Sequence, residues 1–200
     1  MHIFTDVVRA CKRGAFKISI VSLVGSLLLA SIFLVHKAHA SDYYSNFENI
    51  PAVNKFPLRA GRWHRTPTVI ICEHAPVSKT QIKKAVRLWK DLGHRFLSTQ
   101  YKYDPLNKCT AKEPVGYIVV HLITQGIKLE PDDLAETHFF VSAETSEINW
   151  AIIYMRSPVK EIVLEHEIGH ALGYLHYNKI NHLMNSKWIY GGWDVDGLKN

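Results

Sequence analysis

HEIGHALGYLH, residues 166–176, brings three histidines, one glutamate and two glycines together within eleven positions. On a helix, His166 and His170 are four residues apart, so their imidazoles lie one turn apart on one face and can reach a single metal ion. Glu167 follows the first histidine and is placed to accept a proton from a water molecule on that ion. The stretch therefore predicts a helix that carries both metal ligands and a general base.

A third ligand is predicted just beyond that helix. Gly173 can adopt a positive φ, which would end the helix and turn the chain so that His176 approaches the metal ion. Three histidines leave a fourth position open for water or substrate, as in catalytic zinc sites, whereas structural sites are normally closed by four protein ligands. We therefore expect one catalytic Zn²⁺ and see no sequence signal for a structural Ca²⁺. The alternative is an ordinary helix whose histidines are hydrogen-bonded.

The segments before this stretch predict a sheet and a second helix. Ser78 and Gln81 have the spacing of a capping box, and apolar residues then recur at helical intervals as far as Gly93, a suitable C-terminal stop. Ser157 and Pro158 are typical of a helix start, which predicts that the histidine-bearing helix begins there. Runs of β-branched and apolar residues predict strands at 68–72, 116–123, 137–141 and 147–155.

This order of elements predicts an α+β fold of mixed α/β layers. In that fold one long helix packs on a twisted mixed sheet, and the active-site helix follows the last strand. The hydrophobic content of 47% is sufficient for the core of one such domain, which we place at 61–200.

The first forty residues are predicted to be an export segment. A basic region precedes the uncharged run at 18–35, and the small-x-small pattern AHA lies at 38–40. We predict signal-peptide cleavage after Ala40, which makes the protein secreted or periplasmic. The alternative is an uncleaved membrane anchor with the catalytic domain outside the cytoplasm. Residues 41–60 are predicted to form an N-terminal arm or a short propeptide.

Export changes the interpretation of charge and cysteine content. The chain has 24 Lys/Arg and 18 Asp/Glu, of which the leader holds five and one, so residues 41–200 carry 19 and 17. A net charge of about +2 and the lack of a basic run with interleaved aromatic residues argue against nucleic-acid binding.

Cys72 and Cys109 are the two cysteines outside the leader, and in an exported domain we expect them to form a disulfide. Two separate thiols are the alternative.

The histidine stretch also resembles a known group of enzymes. It matches the HExxHxxGxxH signature of the metzincin zinc metallopeptidases, and NHLMN at 181–185 supplies Met184 for the methionine turn of that superfamily. The similarity is greatest to matrixin-like members and is sharp over 147–190 but looser over 61–146. The resemblance implies that Met184 supports the zinc histidines from below without binding the ion. It also implies that a small C-terminal subdomain follows the active-site helix.

Two residues depart from the family patterns. Tyr177 follows the third histidine, where matrixins typically have serine, and Ser186 stands where astacin-like and serralysin-like enzymes have tyrosine. The sequence therefore does not assign the chain to one metzincin family.

The resemblance further implies how substrate would bind. The strand near Ala135–Phe139 would border the cleft and pair with an extended peptide, with Ala135, Thr137 and His138 helping to hold it. Tyr190 is a candidate to stabilise an oxyanion, and core packing is the alternative for this residue.

From these observations we predict a zinc-dependent endopeptidase that hydrolyses peptide bonds with a zinc-bound water activated by Glu167. Its partner would be a protein or peptide substrate. We expect a monomer, no nucleic acid, and membrane contact only through an uncleaved N-terminal segment. Two other functions remain compatible with the sequence: a catalytically silent metzincin-like module that binds peptides, and a zinc peptidase or amidase that acts on cell-wall peptides.

Overall fold

The computed structural model describes residues 55–123, 129 and 132–200, together with the backbone of 34–39. The predicted cleavage site after Ala40 and most of the predicted leader and arm lie outside these residues. In the part of the chain that is described, no helix is long and apolar enough to cross a membrane.

The described residues form one seven-stranded sheet and two α-helices. The strands are β1 Leu34–His39, β2 Arg62–Trp63, β3 Thr68–Ile71, β4 Thr99–Tyr101, β5 Tyr117–Leu122, β6 Ala135–Val141 and β7 Glu147–Met155. The helices are α1 Lys79–Asp91 and α2 Val163–Ala171, with short 3-10 helices at Lys108–Thr110 and Trp188–Tyr190.

The sheet is mixed and mostly parallel. Its order is β1-β6-β7-β5-β3-β4, and β2 pairs in parallel with one end of β7. Strands β7, β5, β3 and β4 run parallel to one another, whereas β6 runs antiparallel to β7 and β1 antiparallel to β6. This architecture fits the predicted α+β class. The four predicted strands are all present, and the prediction for β7 is correct at both ends.

Helix α1 packs an apolar face on the sheet. The predicted capping box is confirmed: the Gln81 amide donates to Ser78 Oγ at 3.2 Å, and the Ser78 amide donates to Gln81 Oε1 at 2.9 Å. Ile82, Ala85, Val86 and Trp89 are buried in the core. Gly93 has φ +92°, so the predicted C-terminal stop is also confirmed.

The predicted start of the second helix is wrong. Ser157 and Pro158 are joined by a cis peptide bond, and α2 begins only at Val163. Ile162 has φ +63°, far from the value near −60° that a helix requires, so helical geometry cannot extend back through it. The carbonyl oxygen of Glu161 accepts a hydrogen bond from Trp188 Nε1 at 2.9 Å instead of entering a helical ladder. A contact with a distant residue thus fixes this boundary.

The predicted pairing of Cys72 and Cys109 is present, with the two sulfur atoms 2.03 Å apart. The bond links the residue after β3 to the 3-10 helix in the loop before β5. The same loop is held by Asp104, whose carboxylate accepts hydrogen bonds from the amides of Lys108 and Cys109. The disulfide therefore fastens a long loop to the parallel sheet.

Candidate metal centre and active site

The three predicted ligands come together in the structure. His166 and His170 lie on α2, and His176 lies in the segment after it, with one potential ligand atom of each within 4.8 Å of the others. The ring centroids are 4.5 Å apart for His166 and His170, 4.6 Å for His170 and His176, and 5.4 Å for His166 and His176. This three-histidine group could hold a metal ion.

Hydrogen bonds to the backbone orient the two helical histidines. His166 Nδ1 lies 2.7 Å from the carbonyl oxygen of Leu183, and His170 Nδ1 lies 2.7 Å from that of Tyr174. Because a carbonyl oxygen can only accept, each Nδ1 carries a hydrogen, and in the neutral imidazole the lone pair then lies on Nε2. Binding of a metal ion through Nε2 needs this tautomer.

The environment of His166 fits a metal ligand. Its Nε2 atom is buried and has no hydrogen-bond partner among the described residues. Burial lowers the pKa of this side chain to about 4, so it is neutral at physiological pH. A buried neutral imidazole with an unpartnered lone pair is the form that coordinates a metal ion.

Gly173 turns the chain from α2 toward His176. Its φ of +97° is the positive value that the sequence predicts. Its amide donates to the carbonyl of His170 at 2.8 Å, and a Cβ atom at this position would lie 2.3 Å from the carbonyl oxygen of Gly61. Both the backbone conformation and the close approach of a second backbone segment therefore require glycine.

Met184 packs against α2 at Gly169, the residue before His170. Its side chain is fully buried, and a Cβ atom built on Gly169 would lie 2.5 Å from Met184 Sδ. The Met184 carbonyl accepts from the Tyr177 amide at 2.7 Å, and its amide donates to His182 Nδ1 at 3.0 Å. Met184 is therefore packed on α2 at Gly169, and its expected role as a support for the zinc histidines stays a prediction.

Glu167 lies next to the histidine group and is fully buried. Its Oε2 atom accepts a hydrogen bond from Thr137 Oγ1 at 2.5 Å, while Oε1 is buried without a hydrogen-bond partner among the described residues. Burial raises the pKa of this carboxyl to about 8, and the charges of Glu136 and Asp133 act in the same direction. A carboxyl with this pKa can exchange a proton near neutral pH.

The positions predicted to hold a peptide differ in their surroundings. Ala135 and Thr137 are fully buried in β6, and Thr137 faces Glu167. His138 points to the opposite face, where its Nε2 pairs with Glu136 Oε1. Tyr190 lies in a 3-10 helix and is 47% exposed. The described residues give no test of peptide binding at these positions, which therefore stays a prediction.

The contact between Thr137 and Glu167 was not expected from the sequence, although the strand pattern contains a signal for it. In AETHFFV, residues 135, 137 and 139 share one face of the strand, and all three are fully buried. A hydroxyl on that buried face must find a hydrogen-bond partner, and α2 supplies it.

Strand β6 is hydrogen-bonded on both sides. It pairs with β7 on one side and with β1 on the other, in a register that runs from Leu34 opposite Val141 to His39 opposite Glu136. The edge that we expected a substrate to use is thus paired with a segment of the predicted leader.

A narrow apolar recess adjoins His166. It is lined by Ile162, Val163, His166, Leu183, Asn185, Trp188 and Gly191. Trp188 of the 3-10 helix Trp188–Tyr190 contributes one wall, so this helix lies close to His166 of the histidine group. A Cβ atom on Gly191 would lie 2.9 Å from Ile162 Cδ1, which shows how closely the walls approach.

Comparison of the chain with protein-family models, with curated proteins and with solved structures finds no match. The resemblance to metzincins therefore rests on the signature residues between His166 and Met184.

Proposed function

We propose that this chain is a zinc-dependent endopeptidase of the metzincin type that acts outside the cytoplasm. One observation carries the proposal: a three-histidine group, two of whose members lie on α2, includes His166, and the fully buried Glu167 is the next residue of that helix. Three histidines with a neighbouring carboxylate are the parts that metal-assisted hydrolysis of a peptide bond requires.

The donor set favours zinc among the ions that could bind. Imidazole ligands suit zinc, copper, iron and nickel, and three protein ligands with an open position are typical of catalytic zinc sites. His166, His170 and His176 would hold the ion. When bound, zinc would act as a Lewis acid and lower the pKa of a water molecule toward neutrality.

Glu167 would move the protons of the reaction. Its unpartnered Oε1 would accept a proton from the attacking water as that oxygen bonds to the carbonyl carbon of the substrate. When the carbon–nitrogen bond breaks, the same carboxyl would return the proton to the departing amine. The hydrogen bond from Thr137 holds Oε2 and so fixes the orientation of the carboxylate throughout.

Strand β6 would position the peptide. Removal of residues 1–40 would take β1 away and leave the outer edge of β6 free to pair with an extended chain. The recess beside His166 has a volume of about 10 Å³, room for about one water molecule, so it offers no pocket for a substrate side chain.

Metal analysis and a peptide-library digest test the proposal. We expect about one zinc per chain and cleavage of internal peptide bonds by wild type. Glu167→Gln should keep the zinc and lose cleavage, whereas His176→Ala should lose zinc affinity. Zinc bound without cleavage by wild type would refute the enzyme and favour a peptide-binding module. Unchanged zinc affinity in His176→Ala would refute the ligand assignment.

A further inference from the structure

A second concave region lies at the C-terminal end of α2 and is strongly basic. This cleft has a volume of about 250 Å³ and is lined in part by Arg59, Arg62 and Arg95, with His64, His94 and Trp63. No aspartate or glutamate of the described chain lines it. The proposed peptidase chemistry gives this cleft no role.

Arg59 is held in place by its neighbours. One guanidinium nitrogen, Nη2, donates to the carbonyl of Leu172 at 3.0 Å, and Nη1 donates to Asn200 Oδ1 at 3.0 Å. The guanidinium also lies 4.7 Å from the ring centroid of Tyr174. The cation is therefore fixed at the wall of the cleft, and little side-chain entropy would be lost when a ligand binds to it.

Trp63 forms a rigid part of the same wall. Its Nε1 donates to the carbonyl of Ala171 at 2.7 Å, next to the carbonyl that accepts from Arg59. Both side chains are thus anchored to the last turn of α2, whose partial negative charge favours a cation there.

No described carboxylate neutralises the positive charge of the cleft. Among the described residues, no carboxylate forms an ion pair with Arg59, Arg62 or Arg95. Glu147, which lines an adjoining cavity, is paired with His64 at 2.7 Å. Burial lowers the pKa of Arg59, Tyr174 acts in the opposite direction and the charge of Arg62 again lowers it, although this side chain stays protonated. A bound anion would relieve this repulsion.

We propose that the cleft binds a phosphate or sulfate group. Guanidinium groups present parallel N–H donors that match the oxygens of such groups two at a time, and three of them line one cavity. The dianionic charge of the ligand offsets charges that no described carboxylate neutralises. The volume exceeds that of a lone phosphate, so a phosphate or sulfate ester also fits.

Titration of the full chain with inorganic phosphate, sulfate and glycerol 2-phosphate tests this assignment by calorimetry. We expect saturable binding to wild type, at least tenfold weaker in Arg62→Gln and in Arg95→Gln. Arg65→Gln is the matched control, because Arg65 is exposed and does not line the cleft, although its chain neighbours His64 and Thr66 do. Its affinity should equal that of wild type.

The arms of the experiment separate the possible ligands. Tighter binding of glycerol 2-phosphate than of inorganic phosphate assigns the cleft to an ester, and the reverse order assigns it to the free anion. No saturable binding by wild type would overturn the proposal. An equal loss of affinity in Arg65→Gln would also overturn it, because general surface charge would then explain the binding. Chemical shifts of the Trp63 indole N–H provide a second readout at the cleft itself.

Discussion

At the level of single residues, the sequence predicts some members of the candidate site but not all of them. Spacing on a helix predicts that His166, His170 and Glu167 lie together. The turn that brings His176 to them predicts a glycine at position 173. The partner of Glu167 does not follow from spacing, because Thr137 lies 30 residues away on a strand. Local pattern thus predicts which residues form the candidate site, whereas tertiary packing decides which residues hold them in place.

Thr137→Val should reduce kcat while leaving zinc content and KM unchanged. The substitution removes the hydroxyl that donates to Glu167 Oε2 but keeps nearly the same shape. A hydrogen bond to a charged group contributes about 1.5–3 kcal/mol, which corresponds to a loss of roughly 10- to 100-fold in rate if it is made in the transition state. Steady-state kinetics with a peptide substrate measures this, and Thr137→Ser should restore most of the activity. Equal kcat in Thr137→Val and wild type would show that Glu167 needs no such positioning.

Gly169→Ala should destabilise the fold even though alanine is the better helix former. The new methyl group would lie 2.5 Å from Met184 Sδ and 2.8 Å from Trp89 Cζ2, both buried. Overpacking of this kind costs about 1–3 kcal/mol, more than the ~1 kcal/mol that alanine gains in a helix. Urea denaturation gives the free energy of unfolding. A stability equal to or above that of wild type would mean that Met184 can move aside without cost.

At the scale of elements, the sequence predicts long periodic segments well and short or tertiary-determined ones poorly. Helix α1 has a capping box, an apolar stripe and a glycine stop, and all three agree with the structure. Strands β2 and β4 have only two and three residues, too few to show a period. The start of α2 is misjudged because Ser157 and Pro158 are typical helix-start residues, whereas Trp188 fixes the carbonyl of Glu161 from outside the segment.

Ser78→Ala should cost about 1 kcal/mol of stability, since it removes the side-chain acceptor for the Gln81 amide at the start of α1. The apolar face of the helix stays packed, so the structure should keep its fold and lose only this increment. Denaturant titration measures the loss. Lys83→Ala, at an exposed position of the same helix, should change stability by less than about 0.5 kcal/mol. Equal effects of the two substitutions would mean that the cap contributes nothing.

At the scale of the whole molecule, the sheet and the disulfide hold the elements that carry the site. Residues at the ends of the described chain complete the core: the carbonyl of Leu198 accepts hydrogen bonds from Tyr174 and His94. The predicted α+β class follows from the order of elements alone. The close contacts between segments far apart in sequence cannot be predicted in this way, because patterns in a single sequence show local periodicity and do not show which distant surfaces meet.

Reduction of the disulfide should lower the free energy of unfolding by about 4 kcal/mol. The bond closes a loop with a sequence separation of 37, and the entropy model for a cross-link of this length gives that value. Chemical denaturation with and without reductant measures the difference. The double variant Cys72→Ala, Cys109→Ala should match the reduced wild type and show no response to reductant. A wild type insensitive to reductant would show that the bond does not constrain the unfolded chain.

Acid should destabilise the protein partly through His94. Burial lowers the pKa of this imidazole in the folded state, whereas in the unfolded chain it titrates near 6.5. Below that pH the unfolded state binds a proton that the folded state binds less readily, so the free energy of unfolding falls as pH falls through 6.5.

His94→Gln tests this contribution, because glutamine does not titrate. In denaturation measured between about pH 6.5 and 5, the free energy of unfolding should fall less steeply for this variant than for wild type. The glutamine amide can still donate to the carbonyl of Leu198, now 2.9 Å from His94 Nε2. Two other histidines, the half-buried His121 and the buried His182, also have lowered pKa values and contribute to the wild-type slope. The difference in slope between wild type and variant therefore isolates His94, and identical slopes would exclude it as a source of acid sensitivity.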